Sequence, residues 1–175
     1  YIKKIEGNVI MTSVSHERAS DRAAEALIKI EKKLNKKYDI IVMLQGDEPM
    51  VTPEMITSAV KPLINSSEIL ITNLYSEINN DMEFNDPNEV KVVIDKNSNA
   101  LYFSREPIPS KKKGVIDGPM YKQVCIIPFK RDFLLQYNSM DETILEKIES
   151  VDMMRILENG LSIKMIYTNN ESYSV

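Results

Sequence analysis

Apolar runs and helical stripes alternate along this chain. Residues 8–12 (NVIMT) predict a short buried strand. Ala23, Leu27, Ile30 and Leu34 then recur at helical spacing with acids and lysines between them. Ser20, just ahead of that stripe, suits the N-cap, and Asp21 suits the first turn. Residues 38–44 (YDIIVML) form a continuous branched run, the pattern of a parallel strand covered on both faces. Residues 45–49 (QGDEP) end it sharply, and Thr52 followed by Pro53 predicts the start of the next helix. Residues 69–74 predict another strand.

The second half opens with two short strands, 90–95 and 100–103, flanking a polar turn at 96–99, which predicts a hairpin. Residues 104–118, rich in Pro, Lys and Gly, predict a long loop. Residues 123–129 predict a strand whose end Pro128 demotes to an edge or a bulge. Ile144, Leu145, Ile148, Val151 and Met154 mark an amphipathic helix between 141 and 158, whole or broken in two. Asn159-Gly160 stops it, and 161–167 predict a last strand. Strands alternating with helices, interrupted by a hairpin, imply a three-layer α/β domain. In such sheets the ligand site lies outside the carboxyl ends of the strands.

Composition narrows the chemistry. The chain of 175 residues has a net charge of -4 and one cysteine, Cys125, and one histidine, His16. A disulfide framework, a cysteine zinc cluster and a multi-histidine metal site are therefore excluded. With a pI of about 5.2, nonspecific nucleic-acid binding is not expected. Carboxylates, amides and arginines remain as tools.

These residues gather after the strands. In QGDEP, Gly46 permits close backbone approach, and Asp47 is a hard oxygen ligand suited to Mg²⁺ held jointly with phosphates. The alternative reading is a polar turn capping a buried strand. After the first strand, Arg22 offers a planar fork for phosphate or carboxylate, and His16 could bond a base or sugar hydroxyl; otherwise both belong to a solvated loop and first helical turn. Arg105 precedes a proline-stiffened loop, where it could hold an anion or pair with Glu106. Lys111, Lys112 and Lys113 read as a solvated loop tip. Glu142, Glu146 and Glu149 share one helical face, either a row for sugar hydroxyls or a solvent face. Cys125 reads as a small core residue, since no histidine neighbours it as a base.

Taken together, the stretches 11–26 (MTSVSHERASDRAAEA), 39–50 (DIIVMLQGDEPM), 86–109 (DPNEVKVVIDKNSNALYFSREPIP) and 144–160 (ILEKIESVDMMRILENG) resemble the 3-deoxy-manno-octulosonate (Kdo) cytidylyltransferases in order and spacing. The resemblance implies a nucleotidyltransferase-like (Rossmann-like) α/β fold with a mixed sheet and a hairpin and loop insertion for dimerisation around 90–120. It implies CTP and a 3-deoxy-2-ulosonic acid as substrates, CMP-sugar and pyrophosphate as products, Mg²⁺ as cofactor, and a cytoplasmic homodimer serving lipopolysaccharide synthesis. By the same resemblance Asp47 would bind the metal, and Gln45 would lie against nucleotide and sugar. Met11, Thr12, Ser13 and Arg22 would line the cytidine pocket, and Arg105, Gln123, Glu146 and Glu149 would face the sugar acid.

The chain departs from the family's pattern in places. Arg18 stands where a small serine is usual, and is expected to alter packing near the base. Gln123 and Ile127 stand where a histidine and a tyrosine are usual. Lost polar rings favour a variant sugar, since buried polar recognition discriminates strongly. An acylneuraminate or amino-ulosonic acid is thus an alternative substrate. Nothing before Ile10 resembles the family's phosphate loop, and the chain stops where a second metal carboxylate would follow. The expectation is a single domain over 1–175 lacking both, and inactive as written; a non-catalytic nucleotide-binding or dimerisation module is the alternative from another class.

Overall fold

Helix starts and stops follow local chemistry. In the computed structural model, which describes residues 1–46, 48–114 and 118–170, Thr52 caps α2 (Pro53–Asn65) by accepting the Met55 N–H at 3.4 Å, with Pro53 at the first position. In α2 Met55, Ala59 and Leu63 fall at four-residue intervals and are all buried. The first long helix, α1 (Ala19–Leu34), buries Ser20, Ala24 and Leu27 and ends on Asn35 in the left-handed conformation. Its N-cap is Arg18, not Ser20. Ser20 is fully buried because its hydroxyl donates to Asp152 Oδ2 at 2.9 Å, a long-range partner no local pattern announces.

The strands form one mixed arrangement. After α1 comes β1 (Ile40–Leu44), and after α2 come β2 (Thr72–Glu77), a short α3 (Asp81–Asn85), β3 (Lys91–Ile94), β4 (Ala100–Ser104), β5 (Tyr121–Val124) and β6 (Ile126–Lys130). The chain continues through α4 (Arg131–Asn138), α5 (Ile144–Glu149), α6 (Met154–Glu158) and β7 (Lys164–Tyr167). Five strands order as β4-β3-β5-β2-β7, and β1 pairs with β6. Only β2 and β7 run parallel; β1 runs antiparallel to β6, from Ile40 opposite Lys130 to Leu44 opposite Ile126. The expected doubly covered parallel strand at 38–44 is therefore an antiparallel one, with Met43 buried and Leu44 exposed. A branched apolar run encodes burial, not the direction of its neighbour.

The strand predicted at 123–129 becomes β5 and β6, separated by Cys125 alone. Phe129 bridges Ile71 just ahead of β2, so the two groups of strands share a seam. Asn73, fully buried, satisfies that irregularity by donating to the Val124 carbonyl at 2.8 Å and the Leu74 carbonyl at 3.1 Å. Pro128 sits inside β6 opposite Val42 in an unbroken register, so the expected edge or bulge at its end does not form there.

Three layers result. On one face α2 packs Met55 and Ala59 on Leu74, Val124 and Ile126. On the other, Ala24 and Leu27 of α1 join Ile71, Phe129, Phe133, Tyr137 and residues of α6 in the main core. The predicted hairpin forms between β3 and β4, its turn closed by Asp95 accepting the Asn97 and Asn99 N–H groups at 2.8 and 2.7 Å. The helix predicted over 141–158 breaks at Ser150, whose φ of 51° is left-handed, so Ile144 and Ile148 stay exposed while Val151 and Met154 are buried. Among the described residues no helix is long and apolar enough to cross a membrane.

The strand expected at 8–12 does not form. A strand needs a hydrogen-bonded neighbour, and here side chains of α1 hold the backbone at Met11 and at Ser13 just beyond the stretch. Lys29 Nζ donates to the Met11 carbonyl at 2.8 Å, and the Ser13 N–H donates to Glu25 Oε2 at 2.8 Å.

Candidate active site

A cleft of about 650 Å³ opens at the carboxyl end of β1. Thr12, Arg22, Val42, Gln45 and Gly46 line it, with the small side chains Ala19, Ala23 and Ala26 of α1. Residues 19, 22, 23 and 26 share one helical face, and three of the four are alanine, which keeps that wall low. This is the position that the rule of strand carboxyl ends selects.

Arg22 shapes the cleft's outer edge. Its guanidinium donates to Thr12 Oγ1 at 3.3 Å, the Ser13 carbonyl at 2.9 Å and the His16 carbonyl at 2.7 Å. Four residues predicted for the nucleotide, Met11, Thr12, Ser13 and Arg22, are thus gathered on one loop and one helix turn. Met11 itself is 79% exposed. The His16 ring turns to α1, where its Nε2 lies 2.5 Å from Glu25 Oε2. Glu25 also pairs with Lys29 at 2.5 Å. The Lys29 ammonium, the Ser13 N–H and the His16 ring hold the Glu25 carboxyl down at about 2. Glu25 and Lys29 were legible only as polar residues between the apolar positions of a helix.

Across β1, Gln45 is half-buried and its carbonyl accepts the Glu48 N–H at 3.3 Å, closing the turn. Glu48 is buried, and its Oε1 accepts the Cys125 N–H at 3.2 Å, which ties the turn after β1 to the break between β5 and β6. Cys125 is half-buried at that break, not a core residue. Asp47, the expected metal ligand, lies outside the described residues. Among the described residues no group of three or more His, Cys, Asp or Glu could hold a metal ion.

The residues predicted for the sugar fall in a different setting. Glu146 is fully buried and forms a two-point pair with Arg155, at 2.7 Å to Nε and 2.6 Å to Nη2. Glu146 thus departs from the expected row of sugar-facing carboxylates. The shared helical face is buried at 146 because α6 turns back against it. Arg155 in turn sits over the Tyr137 ring at 4.7 Å. Glu149 accepts from Tyr102 Oη at 3.1 Å, from Ser104 Oγ at 3.0 Å and from the Arg105 N–H at 3.0 Å. Arg105 does not pair with Glu106. Its guanidinium donates to the carbonyls of Pro87, Glu149 and Ser150 at 2.8, 2.8 and 3.1 Å. Lys91, fully buried, donates to the carbonyls of Asp86, Glu89 and Arg105, and burial lowers its pKa. Gln123 is half-buried and donates to Asn73 Oδ1. Of the sugar set, therefore, Arg105 and Glu149 are brought together, Glu146 is turned inward, and Gln123 stands on β5 beside Asn73.

Arg18 links the two settings. It lies 3.5 Å from Asp152 and 3.9 Å from both Glu142 and Glu146, and donates to Ser150 Oγ at 3.4 Å. Rather than repacking the base pocket, it spans from the start of α1 to α5. A second hollow of about 520 Å³, lined by Ser76, Glu83, Glu89, Lys122 and Thr168 among others, contains none of the predicted residues. Lys122 is buried there between Glu83 at 2.5 Å and Glu89 at 3.3 Å.

Known proteins share this chain's sequence pattern and fold. A family model described as cytidylyltransferase matches residues 1–164. The 3-deoxy-manno-octulosonate cytidylyltransferase of Geobacter metallireducens is 39% identical over 99% of this chain and 70% of its own length. That of Geotalea uraniireducens is 40% identical over 97% of this chain and 69% of its own. A solved structure of CMP:2-keto-3-deoxy-manno-octonic acid synthetase complexed with CTP superposes with a TM-score of 0.87 at 30% identity, covering 99% of this chain and 69% of that one. With the match running through the cleft, the turn after β1 and the hairpin alike, the chain belongs to the cytidylyltransferase family.

Proposed function

We propose that the protein activates Kdo with CTP, giving CMP-Kdo and pyrophosphate. The observation that carries the reading is the cleft at the carboxyl end of β1, where Thr12 and Arg22 face Gln45 and Gly46. Relatives that share this chain nearly end to end are named for that reaction, and one binds CTP. On this reading the loop at 11–13 receives the cytidine, and Arg22 keeps that loop and the cleft edge in one geometry. Gln45 then lies between nucleotide and sugar, and the sugar's anomeric hydroxyl attacks the α-phosphate. Arg105 and Glu149, with Gln123 nearby, make up the sugar side. Glu146 contributes by fixing α5 through Arg155.

Mg²⁺ belongs to the proposal through Asp47. Asp47 directly follows Gly46, which lines the cleft, and a hard carboxylate fits an ion that keeps its waters and shares substrate oxygens. When bound, Mg²⁺ would neutralise charge on the phosphates. A cytoplasmic homodimer is part of the same reading: β4 ends the five-stranded order and Leu101 on it is 60% exposed. Light scattering of the intact protein measures the dimer directly.

Pyrophosphate release tests the function. The intact protein with CTP, Mg²⁺ and Kdo is expected to release it. Release with another ulosonic acid and none with Kdo would overturn the substrate and keep the reaction. Asp47→Ala is expected to lower turnover by about a thousandfold or more while the fold persists; full activity in that variant would remove Asp47 from the metal site.

A further inference from the structure

Three charged residues of α1 stand in a row at 22, 25 and 29, a spacing that puts them on one helical edge. That edge adjoins the face at 19, 22, 23 and 26 that lines the cleft, so Arg22 belongs to both while Glu25 and Lys29 stand outside the cavity. All three reach the same stretch of chain. Lys29 takes the Met11 carbonyl, Arg22 takes Thr12 Oγ1 and the Ser13 and His16 carbonyls, and Glu25 takes the Ser13 N–H and the His16 ring. The stretch from 11 to 16 makes no strand of its own. Its shape is therefore set by this row, and Glu25 is the member that binds a backbone N–H.

We infer that Glu25 is a positioning residue for the nucleotide: it holds the Met11–Thr12–Ser13 backbone against α1 in the conformation that receives the base, without touching the substrate itself. Lys29 assists by neutralising the carboxylate and gripping the Met11 carbonyl. The inference rests on the assignment of 11–13 and Arg22 to the nucleotide. Preorganising a loop lowers the entropy lost on binding, so its loss weakens affinity and leaves the chemical step intact. A purely structural ion pair on a helix surface would move neither quantity.

The test uses the intact protein and steady-state kinetics with CTP varied. Glu25→Ala is expected to raise KM for CTP about tenfold, the scale of one hydrogen bond to a charged acceptor, with kcat within about twofold. KM for the sugar acid is expected to be unchanged. Glu25→Gln keeps an acceptor oxygen and should recover part of the loss; it also serves if the alanine variant fails to fold. Hydrogen exchange of the Ser13 amide should quicken in Glu25→Ala and not in residues of α2. A folded Glu25→Ala protein with unchanged KM for CTP overturns the inference, as does an equal fall of kcat and melting temperature without a KM change. Arg22→Ala, run alongside, separates the two failures. If it raises KM while Glu25→Ala does not, only the role of Glu25 falls. If neither variant alters CTP saturation, the nucleotide assignment falls with it.

Discussion

The nucleotide side and the sugar side of this molecule use the same residue types in opposite ways. Around 11–29, Arg22, Glu25 and Lys29 sit at the surface and, besides the Glu25–Lys29 pair, bind the backbone of a loop that has no strand partner. Around α5, Glu146 and Arg155 are buried and spend their charges on each other. The first arrangement shapes a loop at small cost to the fold. The second fixes the packing of α5 on α6, because neither ion can be removed without stranding its partner away from water. Position in the fold thus decides whether a charge tunes a ligand site or secures the core.

The largest effect that would break this comparison is on the buried side. Glu146→Ala is expected to cost about 3–5 kcal/mol, since it leaves the Arg155 guanidinium uncompensated. Urea unfolding measures it, and a loss below about 1 kcal/mol would show the pair to be dispensable. Replacing both partners, Glu146→Leu with Arg155→Met, should recover most of that stability, as buried pairs are often no better than well-packed apolar side chains.

Next in size is the surface side. Arg22→Ala is expected to change stability by only about 0.5 kcal/mol while raising KM for CTP by about tenfold or more. A large loss of stability with unchanged KM would reverse the contrast. Calorimetry on the same samples used for kinetics distinguishes the outcomes.

The smallest effect is in pH, where the two sides should differ in sign. The Glu25 carboxyl is held at about 2 against an ordinary value of 4.5. Its folded pKa is depressed, so its contribution is present above pH 4.5 and is lost as the pH falls toward 2. Asp152 is shifted the other way: burial raises its carboxyl above the ordinary 3.8, outweighing the Ser20 hydroxyl and Arg18. Its charged form strains the fold, so Asp152 adds stability as the pH falls through its raised value toward 3.8. Unfolding midpoints from pH 7 downward should therefore fall less steeply in Glu25→Gln and more steeply in Asp152→Asn than in the unaltered protein. Parallel curves for all three would sink this contrast.

Much of the architecture was legible because it rests on local rules. The Thr52–Pro53 start of α2, the hairpin turn at 95–99 and the stop at Gly160, with φ 71°, each follow from one or two residues. The fold class followed from the alternation of strands and helices. Less local features were not legible. Residues 8–12 have a strand's composition, yet a strand also needs a neighbour, and α1 supplied side chains instead. Ser20 looked like a cap because its buried partner, Asp152, lies far along the chain. The carboxylate row at 142, 146 and 149 had the right periodicity, but periodicity does not say that α6 folds back and buries Glu146. The row at 22, 25 and 29 had a signal, the spacing of three charges on one edge, but that spacing equally suits a solvated helix.

By itself, then, the sequence determined α1, α2, the β3–β4 hairpin and the order of most strands, the family's motifs and the reliance on carboxylates, amides and arginines in a chain with one His and one Cys. Those depend on neighbours within a few residues or on composition. Tertiary structure alone decided that β1 runs antiparallel to β6, that Glu146 pairs inward while Glu149 binds β4, and that α1 dresses the loop beside the cleft. Each of these is set by which distant groups come within hydrogen-bonding reach, and that reach exists only once the layers have packed.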